Sequence, residues 1–219
     1  METIKINTVS TLDAVCNALE NDILCLRFAP GEKITESELA MRYGVSRNTL
    51  REAIAHLIAQ GLLTKIANKG VYVRRFTVED IREIFHLRAL LEQEAVRTIL
   101  DKKIDISNLY SLVEKLEAID SQKQWDEYVR ADIDFHNGLV AVAGSPRLLK
   151  LFHSIITEVK LCIYQTRHFV PTPQRNSASH RTILDAISGG NEQAVMLLNM
   201  HIEHVIHRYC AGIAAMDNA

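Results

Sequence analysis

The spacing of apolar residues changes along this chain, and that change limits the folds it can adopt. Three stretches between residues 10 and 60 repeat apolar side chains with a helical period. The stretches LLTKI and VYVRRF that follow are rich in residues that favour β-strands, and the Ala-Asn-Lys-Gly between them suits a tight turn. Three helices followed by such a hairpin predict a winged helix-turn-helix domain over residues 1–76.

From residue 77 onwards only the helical period is visible, and turn-forming residues interrupt it at five places. The breaks fall near residues 101–105, 119–124, 143–146, 169–174 and 188–191. Six helices are therefore predicted, which form a second domain over residues 77–219. The predicted fold class is mostly α, with an N-terminal winged helix-turn-helix and a C-terminal all-α six-helix bundle.

The charge of the whole chain conceals a basic segment. The chain has 25 Lys and Arg against 27 Asp and Glu, but residues 42–75 contain seven basic residues and one acidic residue, Glu52. The basic residues are Arg42, Arg47, Arg51, Lys65, Lys69, Arg74 and Arg75. Because duplex DNA is a dense line of negative charge, this local excess favours DNA binding. A solvated basic face is the alternative.

The third predicted helix has the features of a DNA-recognition helix. Gly44 suits the turn before it, and Ser46 can cap it. The candidate contact residues are Ser46, Arg47, Asn48, Thr49, Arg51 and, at the hairpin tip, Lys69. Arginine pairs with guanine and asparagine with adenine, whereas short hydroxyls suit phosphates at a helix N-terminus and lysine can reach a phosphate or the minor groove. The alternative is an ordinary surface helix.

The segment PGEKITESELAMRYGVSRNTLREAIAHLIAQGLLTKIANKGVYV resembles the DNA-binding domain of the GntR family of bacterial regulators. The family pattern is PG, E-LA, GVSR-T-REA, L-EGL and a G-x-V wing, and the chain carries these elements, with Leu57 and Gly61-Leu62 in the fourth. The resemblance implies that Arg47 and Arg51 contact bases and phosphates, and that Gly70 is the wing glycine near the minor groove. Ser37 stands where members of the family often carry arginine, so one DNA contact is expected to be missing.

Histidines are concentrated in the second predicted domain, which holds eight of the nine. Asp132 and His136 are four residues apart and share a helix face, His180 lies near a helix start, and His201 lies on an apolar stripe. One carboxylate and three imidazoles suit Zn²⁺, Ni²⁺ or Mn²⁺. The alternative is a set of separate core or surface histidines, and spacing alone does not distinguish His201 from its neighbours His204 and His207.

The segment TVEDIREIFHLRALLEQEAVRTIL resembles the opening helix of the FCD sensor domain, found in the FadR-type branch of the GntR family. The later patterns D-x-x-F-H, H-x-x-I-L-x-A-I-x-x-G and A-x3-L-x2-H also match, and the six-helix count resembles the VanR-like members. The resemblance implies that Asp132, His136, His180 and His201 bind a divalent metal. It also implies a small organic acid as effector.

Arg88 is the candidate for binding the effector, because arginine can hold a carboxylate with two hydrogen bonds. The alternative for Arg88 is a structural ion pair with Glu92, four residues further along the helix.

These features together predict a ligand-controlled repressor. A homodimer would read an inverted repeat in double-stranded DNA, and the organic acid would change its affinity for that operator. The alternatives are a regulator whose effector is the metal itself, and a helical metalloenzyme, although no nucleophile–base pattern is present. No apolar stretch is long enough for a membrane helix and the cysteines are scattered, so a cytoplasmic protein with reduced thiols is expected.

Overall fold

The computed structural model describes residues 10–168 and 177–217, and it divides the chain into two compact units, Met1–Arg75 and Phe76–Ala219. The predicted break near residues 169–174 lies outside the described residues. All four cysteines lie in the described ranges and are free thiols. Within those ranges no helix is long and apolar enough to cross a membrane.

The first unit contains three helices and a three-stranded antiparallel sheet. Its elements are α1 (Thr11–Leu24), β1 (Lys33–Ile34), α2 (Glu36–Tyr43), α3 (Arg47–Ala59), β2 (Leu63–Ile66) and β3 (Gly70–Val73). The strand order is β1-β3-β2, with Lys33 opposite Tyr72 and Leu63 opposite Val73. This arrangement confirms the winged helix-turn-helix. The hairpin was predicted from its β-favouring residues, whereas β1 is two residues long and leaves no periodic signal.

Helix α1 packs on α3, and their apolar faces form the centre of this unit. Leu19 on α1 and Leu50 and Leu57 on α3 have no exposed surface. After α1 the chain turns through Leu26, whose φ of 54° lies in the left-handed region. The amide of Arg27 donates to the carbonyl of Asp22 and closes the helix end. Glycine is preferred at such a position because it has no Cβ, so Leu26 is strained there.

The second unit contains six helices among the described residues, as predicted. They are α4 (Val78–Lys102), α5 (Ser107–Ala118), α6 (Trp125–Val142), α7 (Pro146–Thr166), α8 (Ser177–Ser188) and α9 (Gln193–Asp217). Helix α4 begins with a capping box, in which Thr77 accepts from the amide of Asp80 and Asp80 accepts from the amide of Thr77. It packs against α6, α7, α8 and α9. Polar residues near its middle are therefore enclosed by the bundle.

Candidate functional site

The recognition helix α3 begins where the sequence predicted. Gly44 ends α2 with a φ of 66°, a left-handed conformation that glycine adopts without a Cβ clash. The Ser46 hydroxyl accepts from the Thr49 amide at 3.1 Å and so caps α3, and the two hydroxyl oxygens lie 2.9 Å apart. The first turn of α3 is thus fixed by its cap.

The candidate DNA contacts lie on two exposed features of the first unit. Arg47, Asn48 and Arg51 are exposed in the first turns of α3. Lys69 is exposed in the turn between β2 and β3, next to the wing glycine Gly70. Gly70 has a φ of 116°, where any other residue would be strained.

Glu36, at the start of α2, is a residue that the sequence analysis did not single out. Its Oε2 accepts a hydrogen bond from Arg51 Nε at 2.7 Å, and the Arg51 side chain stays 61% exposed. Because only Nε is engaged in this bond, the outer edge of the guanidinium still faces solvent. Glu36 therefore sets the orientation in which Arg51 is presented.

Three buried histidines from three helices converge in the second unit. We call His136 on α6, His180 on α8 and His201 on α9 the histidine cluster. One ring nitrogen of each lies within 4.8 Å of the others. His204 and His207 on α9 are exposed, so the structure distinguishes His201 from the two neighbours that spacing left open.

Asp132 completes this group from the turn of α6 that precedes His136. Its Oδ1 lies 3.2 Å from His180 Nε2, and its Oδ2 lies 3.9 Å from His136 Nε2. The two histidine Nε2 atoms are 3.2 Å apart. Metal–nitrogen bonds of about 2.0–2.1 Å separate two ligands of a tetrahedral ion by about 3.3 Å. The three histidines therefore lie at a spacing that could hold a metal, and Asp132, the fourth proposed ligand, lies next to two of them.

Glu92 links this group to Arg88, and the sequence analysis gave it no role beyond an ion pair. Its Oε2 lies 2.7 Å from His136 Nδ1, and its Oε1 accepts from Arg88 Nε at 2.6 Å. All three side chains are buried. If Glu92 holds the proton on His136 Nδ1, then Nε2 carries the lone pair and faces Asp132 and His180. A metal at this position requires that tautomer.

The surroundings lower the pKa values of Asp132 and of two of the cluster histidines, His136 and His201. Burial opposes the charge on Asp132, but its hydrogen bond with His180 and its interactions with His136 and Arg88 prevail and lower its pKa. Burial and then Arg88 lower the pKa of His136. Burial and then the two other cluster histidines lower the pKa of His201 well below its ordinary value. A metal needs deprotonated ligands, so these shifts favour binding.

A small cavity lies beside the histidine cluster. Six of the residues that line it are Arg88, Trp125, Tyr128, Asp132, His201 and Tyr209. It has room for roughly one or two water molecules. Arg88, Asp132 and His201 line the cavity, so the effector candidate and two of the four metal candidates of the sequence prediction face one space. The ion pair with Glu92 is also present, and the two interpretations of Arg88 are compatible.

Comparison with known proteins identifies both units. The model of bacterial regulatory proteins of the gntR family matches residues 11–73, and the FCD domain model matches residues 83–204. The chain is 38% identical over 136 residues to the Nta operon transcriptional regulator of Aminobacter aminovorans. The matched region covers 61% of this chain and 64% of that relative. The chain is also 34% identical over 150 residues to the HTH-type transcriptional repressor GlaR of Escherichia coli. That match covers 66% of this chain and 68% of the relative.

One of the solved structures matches most of the chain. A crystal structure described as a transcriptional regulator GntR from Rhodococcus sp. RHA1 superposes with a TM-score of 0.77 at 27% sequence identity, covering 92% of this chain and 98% of that one. These relatives are transcription regulators, so the metalloenzyme alternative is discarded. Since the FCD model spans more than half of the chain and the gntR model covers the winged helix-turn-helix, the protein belongs to the GntR family of bacterial transcription regulators and carries an FCD domain.

Proposed function

We propose that this regulator is a repressor whose affinity for its operator is controlled by a small organic acid bound beside a metal in the FCD domain. The observation that carries the proposal is the continuous chain of buried contacts from the histidine cluster through Glu92 to Arg88. Buried charged and polar groups are costly, and their convergence on one cavity is typical of a ligand site.

The DNA-binding part rests on the first turns of α3 and on the wing. Arg47, Arg51 and Asn48 are exposed where a recognition helix enters the major groove, and Ser46 and Thr49 offer hydroxyls near phosphates. Lys69 and Gly70 form the wing tip, which would approach the backbone or minor groove. Ser37, where relatives often have arginine, would remove one contact.

The metal part rests on the donor set. Asp132 and the histidine cluster supply one oxygen and three nitrogens, a combination that suits Zn²⁺, Ni²⁺ or Mn²⁺. A bound ion would supply a positive charge and open coordination positions for an anionic ligand. Glu92 would orient His136 toward that ion.

The acid-binding part rests on Arg88. Its Nε is held by Glu92, while its Nη2 is buried with no hydrogen-bond partner in the part of the chain that the structure describes. An acid carboxylate would accept from Nη2 and face the metal at the same time. The guanidinium thus binds the acid in an orientation fixed in advance.

The homodimer part rests on the outward surface of α4 and α9. Four large apolar side chains are exposed there: Leu87, Leu90, Met196 and Met200. A hydrogen bond of 2.9 Å between Gln93 and Asn199 joins the two helices near these residues, so the apolar residues border one seam. A second copy on this surface would bury them. The two-fold symmetry of such a dimer would match an inverted-repeat operator.

Control by the acid would act through the packing of the bundle. The cavity is smaller than an organic acid, so binding would separate the helices that line it, α4 among them. Only residues 74–77 connect α4 to β3 of the wing. An acid that binds the DNA-incompetent arrangement better by about 1–3 kcal/mol would weaken operator binding about 5–150-fold.

The metal part is tested by removing two of the proposed ligands. His180→Ala combined with His201→Ala should remove bound metal, whereas His204→Ala with His207→Ala, on exposed positions of α9, should retain it. Elemental analysis of the purified proteins measures the difference. Full retention of metal in the first variant would contradict the ligand assignment.

The effector is then sought by melting the wild-type protein with organic acids, with and without chelator. Operator affinity is measured on a duplex selected from a random-sequence library. An acid that raises the Tm only with metal present and weakens DNA binding supports the proposal. A metal that alone changes DNA affinity, with no acid active, supports the metal-responsive alternative.

A further inference from the structure

Two buried hydrogen-bond donors of the cavity lack an acceptor. Trp125 is 6% exposed and Arg88 is 1% exposed, and both line the cavity. Among residues 10–168 and 177–217, neither Trp125 Nε1 nor Arg88 Nη2 has a hydrogen-bond partner. A buried donor without an acceptor costs free energy, so each one calls for an acceptor that these residues do not supply.

The two donors lie at different places along the cavity. Trp125 is the first residue of α6 and Asp132 follows it by seven residues, which is two helical turns or about 10 Å of rise. Tyr128 and Val129 lie between them on the same face and also line the cavity. The lining of the cavity therefore extends along α6 from a metal end, at Asp132 and Arg88, to an indole end at Trp125.

Neighbouring side chains hold the indole in place. The Tyr128 ring stacks on it with centroids 6.2 Å apart, and the guanidinium of Arg167 lies 5.9 Å from the centre of the Trp125 ring. The indole N–H can only donate, so a terminal methyl or ammonium group gains nothing from it. Because Arg167 is already paired with Asp126 at 3.7 Å, the preference for an acceptor at this end rests on the indole N–H.

We propose that the effector is an acid with two oxygen acceptors at opposite ends. Its carboxylate binds Arg88 beside the metal, and a second oxygen at the far end accepts from Trp125 Nε1. This inference rests on the proposed function, because it assumes that an acid occupies this cavity. It makes Trp125 a residue that determines specificity, since acids with only one polar end leave the indole N–H unpaired.

Trp125 is the only tryptophan of the chain, so its fluorescence reports on this end of the cavity alone. The full-length protein loaded with Zn²⁺ is titrated with succinate, glutarate and adipate, and with the matched monoacids butanoate, pentanoate and hexanoate. At least one diacid should bind about 10-fold more tightly than its monoacid, as expected for one further hydrogen bond to a charged acceptor, and should change the Trp125 emission. Equal affinities within every pair, or binding by none of the six acids, would overturn the inference.

Biosynthetic replacement of tryptophan by its benzothiophene analogue tests the donor itself. The analogue keeps the two-ring shape but carries sulfur in place of N–H, and only residue 125 changes. Calorimetry should show the diacid preference reduced to about 2-fold or less, with the monoacid affinity unchanged. A preference that survives the replacement overturns the inference.

Metal content and operator binding without acid, measured on the same protein, separate this outcome from failure of the proposed function. They test the metal and DNA assignments and do not depend on the indole. If they stand while the diacid preference is absent, only the role of Trp125 is wrong.

Discussion

Replacing Glu92 by glutamine would remove the negative charge between Arg88 and His136 at nearly constant volume. Glu92 has no exposed surface, and it accepts from Arg88 at 2.6 Å and contacts His136 Nδ1 at 2.7 Å. An amide has one acceptor oxygen, so its NH₂ would face one of these donors. The guanidinium of Arg88 would also lose its hydrogen-bonded carboxylate partner, and breaking a buried pair in this way costs about 3–5 kcal/mol.

That loss is large against the whole stability of a domain, which is about 5–15 kcal/mol. For a chain of this size it corresponds to a fall in Tm of about 6–20 °C. We expect urea denaturation of the chelator-treated protein, followed by circular dichroism, to show the lower free energy of unfolding. In the metal-loaded protein, Glu92→Gln should also weaken Zn²⁺ binding about 10–100-fold in a competition with a chromogenic chelator, because His136 loses the group that orients it.

The matched control is Glu117→Gln. Glu117 accepts two hydrogen bonds from Arg181, at 2.8 and 2.6 Å, but both side chains are about one third exposed. A solvent-exposed pair contributes about 0–1 kcal/mol, so this variant should be nearly neutral. Equal losses for the two variants would refute the reasoning from burial. Recovery of stability when Arg88→Met is combined with Glu92→Met would show that the cost comes from the unpaired charge.

The recognition helix, the cluster histidines and the end of α1 give three more tests. Arg47→Ala and Arg51→Ala should each weaken binding to the selected operator about 5–150-fold in fluorescence anisotropy. The control variant Arg97→Ala, in the FCD domain, should leave binding unchanged. Unaltered binding by both α3 variants would defeat the recognition-helix assignment. The lowered pKa values of two cluster histidines mean that the unfolded chain takes up protons below their ordinary pKa of 6.5 and the folded chain does not. The metal-free protein should therefore be most stable above pH 6.5 and lose stability as the pH falls below it, and a flat profile in urea denaturation would contradict this. Leu26→Gly should raise the free energy of unfolding of the first unit by up to about 1 kcal/mol, since it relieves the left-handed strain at this position. A clear fall in that free energy in urea denaturation would show that the side-chain contacts of Leu26 outweigh the strain.

Much of the fold could be predicted because most of its helices are long. Helices of 12 to 25 residues in the second unit repeat their apolar positions over several turns, so both their number and their breaks are visible in the sequence. The strand Lys33–Ile34 escaped prediction because two residues contain no repeat. It forms only because β3 offers it an unpaired edge, which is a tertiary event.

The candidate metal ligands could be named from the sequence because family motifs fix their positions. The residues that surround them could not be predicted in this way. The pattern gave Glu92 as a partner for Arg88 at a spacing of four residues, which on a surface helix would mean an exposed ion pair. The packing of four helices around α4 changes that meaning, because it buries the pair and brings His136 against it. The cavity at Trp125 is likewise formed by several helices, and no single segment contains it.

Glu92 contacts both Arg88 and His136, so it can couple the binding of the metal to the binding of the acid. Arg88 and His136 both depend on the same carboxylate, so a metal that fixes His136 also fixes Glu92 and hence the guanidinium that would bind the acid. By thermodynamic reciprocity, an acid that holds Arg88 in place must raise the affinity for the metal by the same factor. Metal titrations with and without the acid, compared in the wild-type protein and in the Glu92→Gln variant, should therefore show a coupling that disappears with the carboxylate. If the coupling persists in the variant, the two ligands communicate only by direct contact, and the buried chain through Glu92 serves the stability of the bundle alone.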